Sequence, residues 1–284
     1  MKQKDWRKKM FTLCLGVVLL ILFFYWQNND IVITKSVYSA LGVPKAFDGF
    51  KILQVSDLHN KEFGKNQSEL MKFTKQLQPD IIVVTGDLID SHRTNIAVSM
   101  EYISQAVKLA PVYFVTGNHE KRSEQYPELE KQLRKAGVNL LDDRAVLLEK
   151  NQEAIALVGM GDPYFLPREY GGDAIIDDNL NTISGEVSAG FKILLSHRPE
   201  LIDAYAKHGF DLVFSGHAHG GQFRLPGIGG VIAPDQGLFP KYTSGVIKKE
   251  QTSMYVSRGL GNSVIPVRIF NRPELVLVTL RHEE

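Results

Sequence analysis

The sequence predicts an α/β fold, a layered α/β sandwich behind an apolar N-terminal segment, on three observations. Short runs rich in Val, Ile, Leu and Phe alternate with amphipathic stretches between residues 51 and 215. The chain after Gly220 is rich in Gly and Pro and carries no helical period. Residues 11–26 form one continuous apolar run behind a basic flank.

The run FTLCLGVVLLILFFYW follows Lys2, Lys4, Arg7, Lys8 and Lys9, with Asp5 the one acid among them. At about 1.5 Å per residue it makes a helix of roughly 24 Å, short of a bilayer core of about 30 Å. Trp6, Tyr25 and Trp26 suit the two interfaces, and the flanking lysines can snorkel. Positive charge on this side holds the N-terminus in the cytoplasm and sends the remainder across. Gln27, Asn28, Asn29 and Asp30 follow where a signal peptidase needs small residues, and Ser39 and Ala40 lie far downstream. An uncleaved signal anchor is therefore preferred to a cleaved signal peptide. Residues 1–29 are read as basic flank and transmembrane anchor of a single-pass cell-membrane protein, and residues 30–284 as one extracytoplasmic domain.

Within that domain, strands are predicted at 51–55, 81–85, 112–116, 155–159, 192–195 and 211–215 from their β-branched and aromatic content. Helices are predicted between several of them, at 68–78, 95–109, 127–136 and 199–208, from apolar residues at helical spacing. The last part, from Gly220, is read as loops and strands.

Composition removes some functions. A formal net charge of +1 on 284 residues gives no basic surface for nucleic acid. The single cysteine, Cys14, lies in the apolar run, so the domain has no disulfide, thiol nucleophile or cysteine metal cluster. Any metal must be held by imidazole, carboxylate or amide groups.

The chemistry stands where the apolar runs end. The run from Lys51 leads into Asp57 and His59, that from Ile81 into Gly86 and Asp87, and that from Val112 into Gly117, Asn118, His119 and Glu120. The run from Lys192 leads into His197, and that from Asp211 into Gly216, His217, Ala218 and His219. In open α/β sheets ligands collect beyond the carboxyl ends of the strands, so these five loops are expected to converge. Asp57 and His59, like His217 and His219, are two apart, which in extended backbone turns both side chains to one side. Gly86, Gly117 and Gly216 allow tight turns and close approach. A single Asp after a strand is ordinarily a helix cap and a single His a structural residue, but five coincident strand ends do not reduce to that.

Taken in order, Asp57-x-His59, Gly86-Asp87, Gly117-Asn118-His119-Glu120, His197 and Gly216-His217-Ala218-His219 resemble the motifs of the calcineurin-like metallophosphoesterase superfamily. The tail, with Gly220-Gly-Gln-Phe-Arg-Leu-Pro226, Val256-Ser-Arg-Gly-Leu-Gly-Asn262 and Arg272-Pro-Glu274, is similar to its membrane-associated YkuE/YaeI-like bacterial branch. The resemblance implies an α/β/β/α sandwich and two divalent metal ions, Mn, Fe, Zn or Co. It implies Asp57, His59, Asp87 and His219 around one ion and Asp87, Asn118, His197 and His217 around the other. Two such ions share a hydroxide nucleophile and clamp the phosphate for in-line displacement. His119 is implied as the residue that stabilises the transferring phosphoryl group or protonates the leaving oxygen, with Asp90 orienting it. Where the protein phosphatase branch has Arg after that Asp, this chain has Ser91, which argues against phosphoproteins.

The function so implied is hydrolysis of a phosphodiester or phosphomonoester, lipid-linked or of the cell envelope given the anchor. A second reading is a UDP-2,3-diacylglucosamine pyrophosphatase, whose cytoplasmic substrate conflicts with the expected orientation. A third, a non-catalytic membrane-anchored scaffold, conflicts with the complete motif set. Arg224, Arg258 and Arg272 are read as salt-bridge residues, Asp162 as a turn residue before Pro163, and His92 and His208 as surface or helix residues.

Overall fold

The computed structural model describes residues 2–164 and 172–284, the side chains of 2–5 and 172–173 excepted. Those of Lys2, Lys4 and Asp5 in the basic flank thus lie outside the described residues. The first element, α1 (Lys2–Asn29), is longer than the apolar run predicted. The helix continues through the basic flank and through Gln27–Asn29. Its segment Trp6–Asn29 is long and apolar enough to cross a membrane. At about 1.5 Å per residue that is roughly 36 Å, enough for the bilayer core that the run alone does not reach. Its apolar side chains, such as Phe11 and Leu13, stay exposed.

The chain continues through β1 (Val32–Ala40), β2 (Lys51–Val55), α2 (Ser68–Leu77), β3 (Ile81–Thr85), α3 (Ile96–Ala106), β4 (Val112–Val115), α4 (Asn118–Arg122), α5 (Tyr126–Ala136) and β5 (Asn139–Leu140). A second half follows: β6 (Arg144–Lys150), β7 (Glu153–Met160), α6 (Gly172–Gly185), β8 (Lys192–Ser196), α7 (Ile202–Lys207) and β9 (Leu212–Ser215). Four short strands, β10 (Arg224–Leu225), β11 (Gly229–Gly230), β12 (Ile232–Ala233) and β13 (Gly237–Leu238), form two hairpins. The chain ends with β14 (Gly245–Lys249), β15 (Thr252–Val256) and β16 (Glu274–His282).

Two six-stranded sheets result, ordered β1-β16-β2-β3-β4-β5 and β14-β15-β9-β8-β7-β6. In the first, β2, β3, β4 and β5 run parallel and β16 opposes β2. In the second, β15, β9, β8 and β7 run parallel, flanked by antiparallel β14 and β6.

Period-two alternation divides each strand between layers. Ile52, Ile81 and Val83 join Ile193, Leu195, Phe214 and Val278 in an apolar layer between the sheets. Their neighbours Leu53, Val55, Ile82 and Val84 face the other way, packing with Leu70, Tyr102 and Leu133 of α2, α3 and α5. Val158, Leu194 and Val213 pack with Ile176, Leu180 and Tyr205 of α6 and α7. The layers are therefore helix, sheet, sheet, helix, as expected. A buried polar tie crosses the apolar layer: the Gln54 amide donates to Thr85 Oγ1 at 3.0 Å and to the Ser215 carbonyl at 2.9 Å. It joins β2 and β3 to β9 close to the strand ends that matter for function.

The six predicted strands appear within two residues of their expected ends. Residues 199–208 form a helix only from Ile202, after a tighter turn at Pro199–Leu201. Five of the elements, β1, α4, β5, β6 and α6, were not anticipated, and β10 to β16 were expected only as unplaced strands after Gly220.

Candidate metal centre

The carboxyl ends of β2, β3 and β4 in one sheet meet those of β8 and β9 in the other. The loops there bring together Asp57, His59, Asp87, Asn118, His119, His197, His217 and His219, all buried. The local backbone differs from the extended form expected of the paired residues. Asp57, His59, Asp87, His217 and His219 all have positive φ, between 47° and 65°. Residues with a side chain beyond Cβ seldom adopt this region, and its cost is tolerated where surrounding bonds enforce it. Here they do: Asp57 N–H donates to the Gly86 carbonyl and His59 N–H to that of Asp87, each at 3.0 Å. Left-handed turns coil each loop over its strand end, so both members of each pair still converge.

Glu120 braces two of these turns. Its carboxylate accepts N–H bonds from Asp87 at 2.7 Å, Gly117 at 2.8 Å and Ile89 at 3.0 Å. Burial, with Asp87 beside it, raises its pKa to about 8, against the pull of those three bonds. Gly216 is required by space, since a Cβ there would stand 2.5 Å from Asp57 Oδ2.

Among the described residues, donor atoms fall into four groups: His59, Asp90 and His119 form one, Glu200, His217 and Asp235 another, and the remaining two share Asp87. Asp57, His59, Asp87 and His219 form the first, and Asp87, His197 and His217 the second. His59 Nε2 lies 3.1 Å from His219 Nε2 and 3.5 Å from Asp87 Oδ2. His197 Nε2 lies 3.1 Å from His217 Nδ1 and 3.2 Å from the same Asp87 oxygen. Two imidazole nitrogens about 3 Å apart match neighbouring ligands on a cation some 2.0–2.1 Å from each. Asp57 Oδ2 and Asn118 Oδ1 are buried with no hydrogen-bond partner among the described residues. Orphaned acceptors of this kind are what a cation would satisfy. The residues present therefore fit a metal, with oxygen and nitrogen donors in one buried space.

Hydrogen bonds set the tautomers. His197 Nδ1 donates to the Thr85 carbonyl at 2.7 Å, which leaves Nε2 facing the centre. His217 Nε2 lies 2.9 Å from Asp235 Oδ2, closer than the 3.2 Å to Arg198 NH1, and donates to that carboxylate, which leaves Nδ1 facing inward. Arg198 is buried and gives its protons to carboxylates: Nε to Asp162 Oδ2 at 2.7 Å, NH2 to Asp162 Oδ1 at 3.0 Å, and NH1 to Asp235. Asp162 thus does more than the turn expected of it, although its Oδ1 also accepts the Tyr164 N–H.

The pKa pattern follows charge and burial. Burial lowers His59 to about 3 and holds His217 and His219 below their usual range, so these rings are neutral at pH 7. Burial raises Asp57 to about 6. At His197 burial opposes the charge, but Asp87 overcomes it and lifts the ring to about 10. The His197 field in turn keeps Asp87 ionised despite burial.

Asp90 is not hydrogen-bonded to His119 as expected. Its Oδ1 folds back onto its own turn, accepting N–H bonds from His92 at 2.8 Å and Arg93 at 3.0 Å, and its Oδ2 lies 3.9 Å from His59 Nδ1. Ser91 takes the place at His119 instead, with N–H 3.0 Å and Oγ 3.1 Å from Nδ1. Sequence reasoning missed Asp235, Arg198 and Ser263, whose Oγ is 3.1 Å from His119 Nε2. None carries a local motif, and only Ser91 had been noticed, as a departure. Arg258 and Arg272 pair with Glu274 and Asp30, and Arg224 binds the Gly220 carbonyl, in keeping with structural roles.

Residues 50–221 match the family described as calcineurin-like phosphoesterase. The metallophosphoesterase YkoQ of Bacillus subtilis is 28% identical over 280 residues, covering 94% of this chain and 98% of that one. YkuE of the same organism is 28% identical over 265 residues, covering 90% and 88%. The phosphodiesterase YaeI of Escherichia coli is 26% identical over 236 residues, covering 81% and 82%.

Two outcomes are expected of the donor set. Asp235→Asn cannot accept the His217 proton as a charged partner, and should weaken Mn affinity by about 10–100-fold in calorimetric titration while the fold is kept. Because His197 is protonated at pH 7 and must lose that proton to ligate, Mn binding should release about one proton. Affinity should then climb as pH rises from 7 and level off above about 10. Titration enthalpies in buffers of different ionisation heat measure this, and no proton release would mean that His197 is neutral before the metal binds or is not a ligand.

Proposed function

The chain belongs to the calcineurin-like phosphoesterase family and is a hydrolase of phosphoric esters; from that premise we propose that it cleaves a phosphodiester or phosphomonoester carried by a membrane amphiphile. Two divalent cations are to be held by Asp57, His59, Asp87 and His219 and by Asp87, Asn118, His197 and His217. The observation that carries this reading is Asp87 Oδ2, which both donor groups share. When bound, the cations supply Lewis-acid polarisation of the phosphoryl group and an activated water. A phosphodiesterase among the relatives, YaeI, supports diester cleavage. The basic flank of α1 supports an N-terminus in the cytoplasm and a catalytic domain outside it.

The chain's own residues shape the reaction around His119. A backbone N–H can only donate, so the Ser91 N–H makes His119 Nδ1 an acceptor and leaves the neutral ring's proton on Nε2. Burial lowers the pKa of this ring, which favours that neutral form. Imidazolium would set an Nδ1 proton against the Ser91 N–H. His119 is therefore assigned as a neutral hydrogen-bond donor through Nε2, steadying charge on the phosphoryl group, rather than as the proton source for the leaving oxygen. His59 packs edge-on against this ring, centroids 4.5 Å apart, and fixes its plane. Asp57, Asp87 and Asn118 bring the oxygen donors that fix and offset cationic charge.

The test is turnover of bis-p-nitrophenyl phosphate and p-nitrophenyl phosphate by the full chain in detergent micelles, stripped and reloaded with Mn, Fe, Zn or Co. Metal-dependent turnover that Asp87→Ala abolishes is expected, and the preferred ester decides between diesterase and monoesterase. A folded, metal-loaded protein inert to both esters would leave two options, a very selective lipid-linked substrate or the scaffold reading. His119→Ala should lower kcat by about 10²–10³ with the bound metal content unchanged. A loss of metal in that variant would make His119 a ligand instead.

A further inference from the structure

One loop joins the anchor helix to the site. The last turn of α1 is fixed on residues 262–272: Asn28 Oδ1 accepts the Arg268 N–H at 2.9 Å and the Asn262 amide at 3.1 Å, and Gln27 Oε1 accepts the Asn271 N–H at 3.3 Å. The Phe23 ring meets Phe270 edge-on at 5.8 Å, and the Arg272 guanidinium lies over Trp26 at 4.8 Å. Ser263, in the same loop, touches His119. Between these two ends Val264 is 79% exposed, and Phe270 is 54% exposed beside the helix. Opposite stands the β12–β13 hairpin, with Leu238 and the adjoining Phe239 also exposed. A groove of about 240 Å³ lies between hairpin and loop, walled by Ile232, Ala233, Pro234, Val264 and Ile265, with His219 at one side.

Apolar side chains held in water around such a groove call for an apolar occupant. The loop that forms one of its walls also bonds to a helix of membrane-spanning length, and this connection selects the occupant. We propose that the groove takes the hydrocarbon chain of a membrane-borne phosphate ester, with Val264, Phe270 and Leu238 seated in the bilayer surface. The phosphate then meets the metal centre beside His219 while the chain stays out of water. This inference rests on the phosphoesterase reading above and assigns the place where its substrate's hydrocarbon chain is held.

Two diesters that differ only in their chain test it: methyl p-nitrophenyl phosphate in solution and hexadecyl p-nitrophenyl phosphate in phosphatidylcholine nanodiscs. Both are given to the full chain in nanodiscs with Mn. In each, water adds at phosphorus, the aryl P–O bond breaks and p-nitrophenolate leaves, so one absorbance reads both. The hexadecyl ester should show kcat/KM at least about tenfold higher, the gain from withdrawing two or more methylenes from water. Val264→Asp combined with Leu238→Asp, both at exposed positions, should collapse that ratio towards one. Equal turnover of the two esters by the unmodified chain, or a ratio untouched by the substitutions, overturns the groove while leaving the phosphoesterase standing. Failure to cleave either ester overturns both. Self-association relieved by the same substitutions, with the ester preference unchanged, would assign the groove to a second copy of the chain and overturn the proposal.

Discussion

Buried donor charge at the meeting of the two sheets is the constraint to which the rest of the molecule answers. Asp57, Asp87 and Glu120 are almost wholly removed from water, and a carboxylate so placed must find protons, hydrogen bonds or a cation. Glu120 draws three backbone N–H groups, which is why the turns after β3 and β4 have the shapes they do. Asp87 takes the His119 N–H at 2.8 Å and the charge of His197. Asp57 receives the His217 N–H at 3.0 Å on one oxygen, and its other oxygen has no partner among the described residues. The raised pKa values of Asp57, Glu120 and His197 mark where positive charge is wanted. A cation between Asp57 and Asp87 answers that demand better than protons do, because it reaches several donors at once.

The same constraint explains what was legible in the sequence. Apolar runs such as Ile81–Thr85 are buried on both faces, so their composition alone marks them as strands. The ligand candidates were legible because each follows directly on such a run. Their conformation was not, since positive φ at Asp57, His59, Asp87, His217 and His219 is enforced by bonds to strands distant in sequence. Asp235 lies 18 positions beyond His217, in a Gly-rich stretch where an Asp ordinarily marks a turn. Only the folded hairpin carries it to the ring. Asp90 shows the reverse case, a residue whose position was legible but whose hydrogen bonds went to its own turn. The strand β1 was missed, and β16 was expected only as an unplaced strand after Gly220, because they pair with each other across 242 residues and neither has a local partner to announce it.

Ser91 gives the site a particular character. Its side chain is short, so backbone N–H and hydroxyl both reach His119 Nδ1, and the ring is held in one tautomer from one side while Ser263 meets it from the other. A ring held so is poised to donate a hydrogen bond without a change of protonation. That suits stabilisation of phosphoryl charge more than delivery of a proton.

Ser263 also ties this chemistry to the membrane helix. The segment carrying it closes over the end of β2, where Leu260 N–H donates to the Ser56 carbonyl and Gly261 N–H to that of Asp57. Arg268, wholly buried, binds the carbonyls of Gly261 and Arg258 and the Asn262 side chain, and its own backbone is held by Asn28. From the last turn of α1 to a candidate metal ligand is therefore a short chain of hydrogen bonds through one loop. An anchor on a flexible tether would leave the mouth of the site free to face any direction. An anchor bonded to the loop that walls the site fixes the mouth relative to the helix axis. Exposed Val264 and Phe270 stand on that same loop, and a soluble substrate would gain nothing from that arrangement.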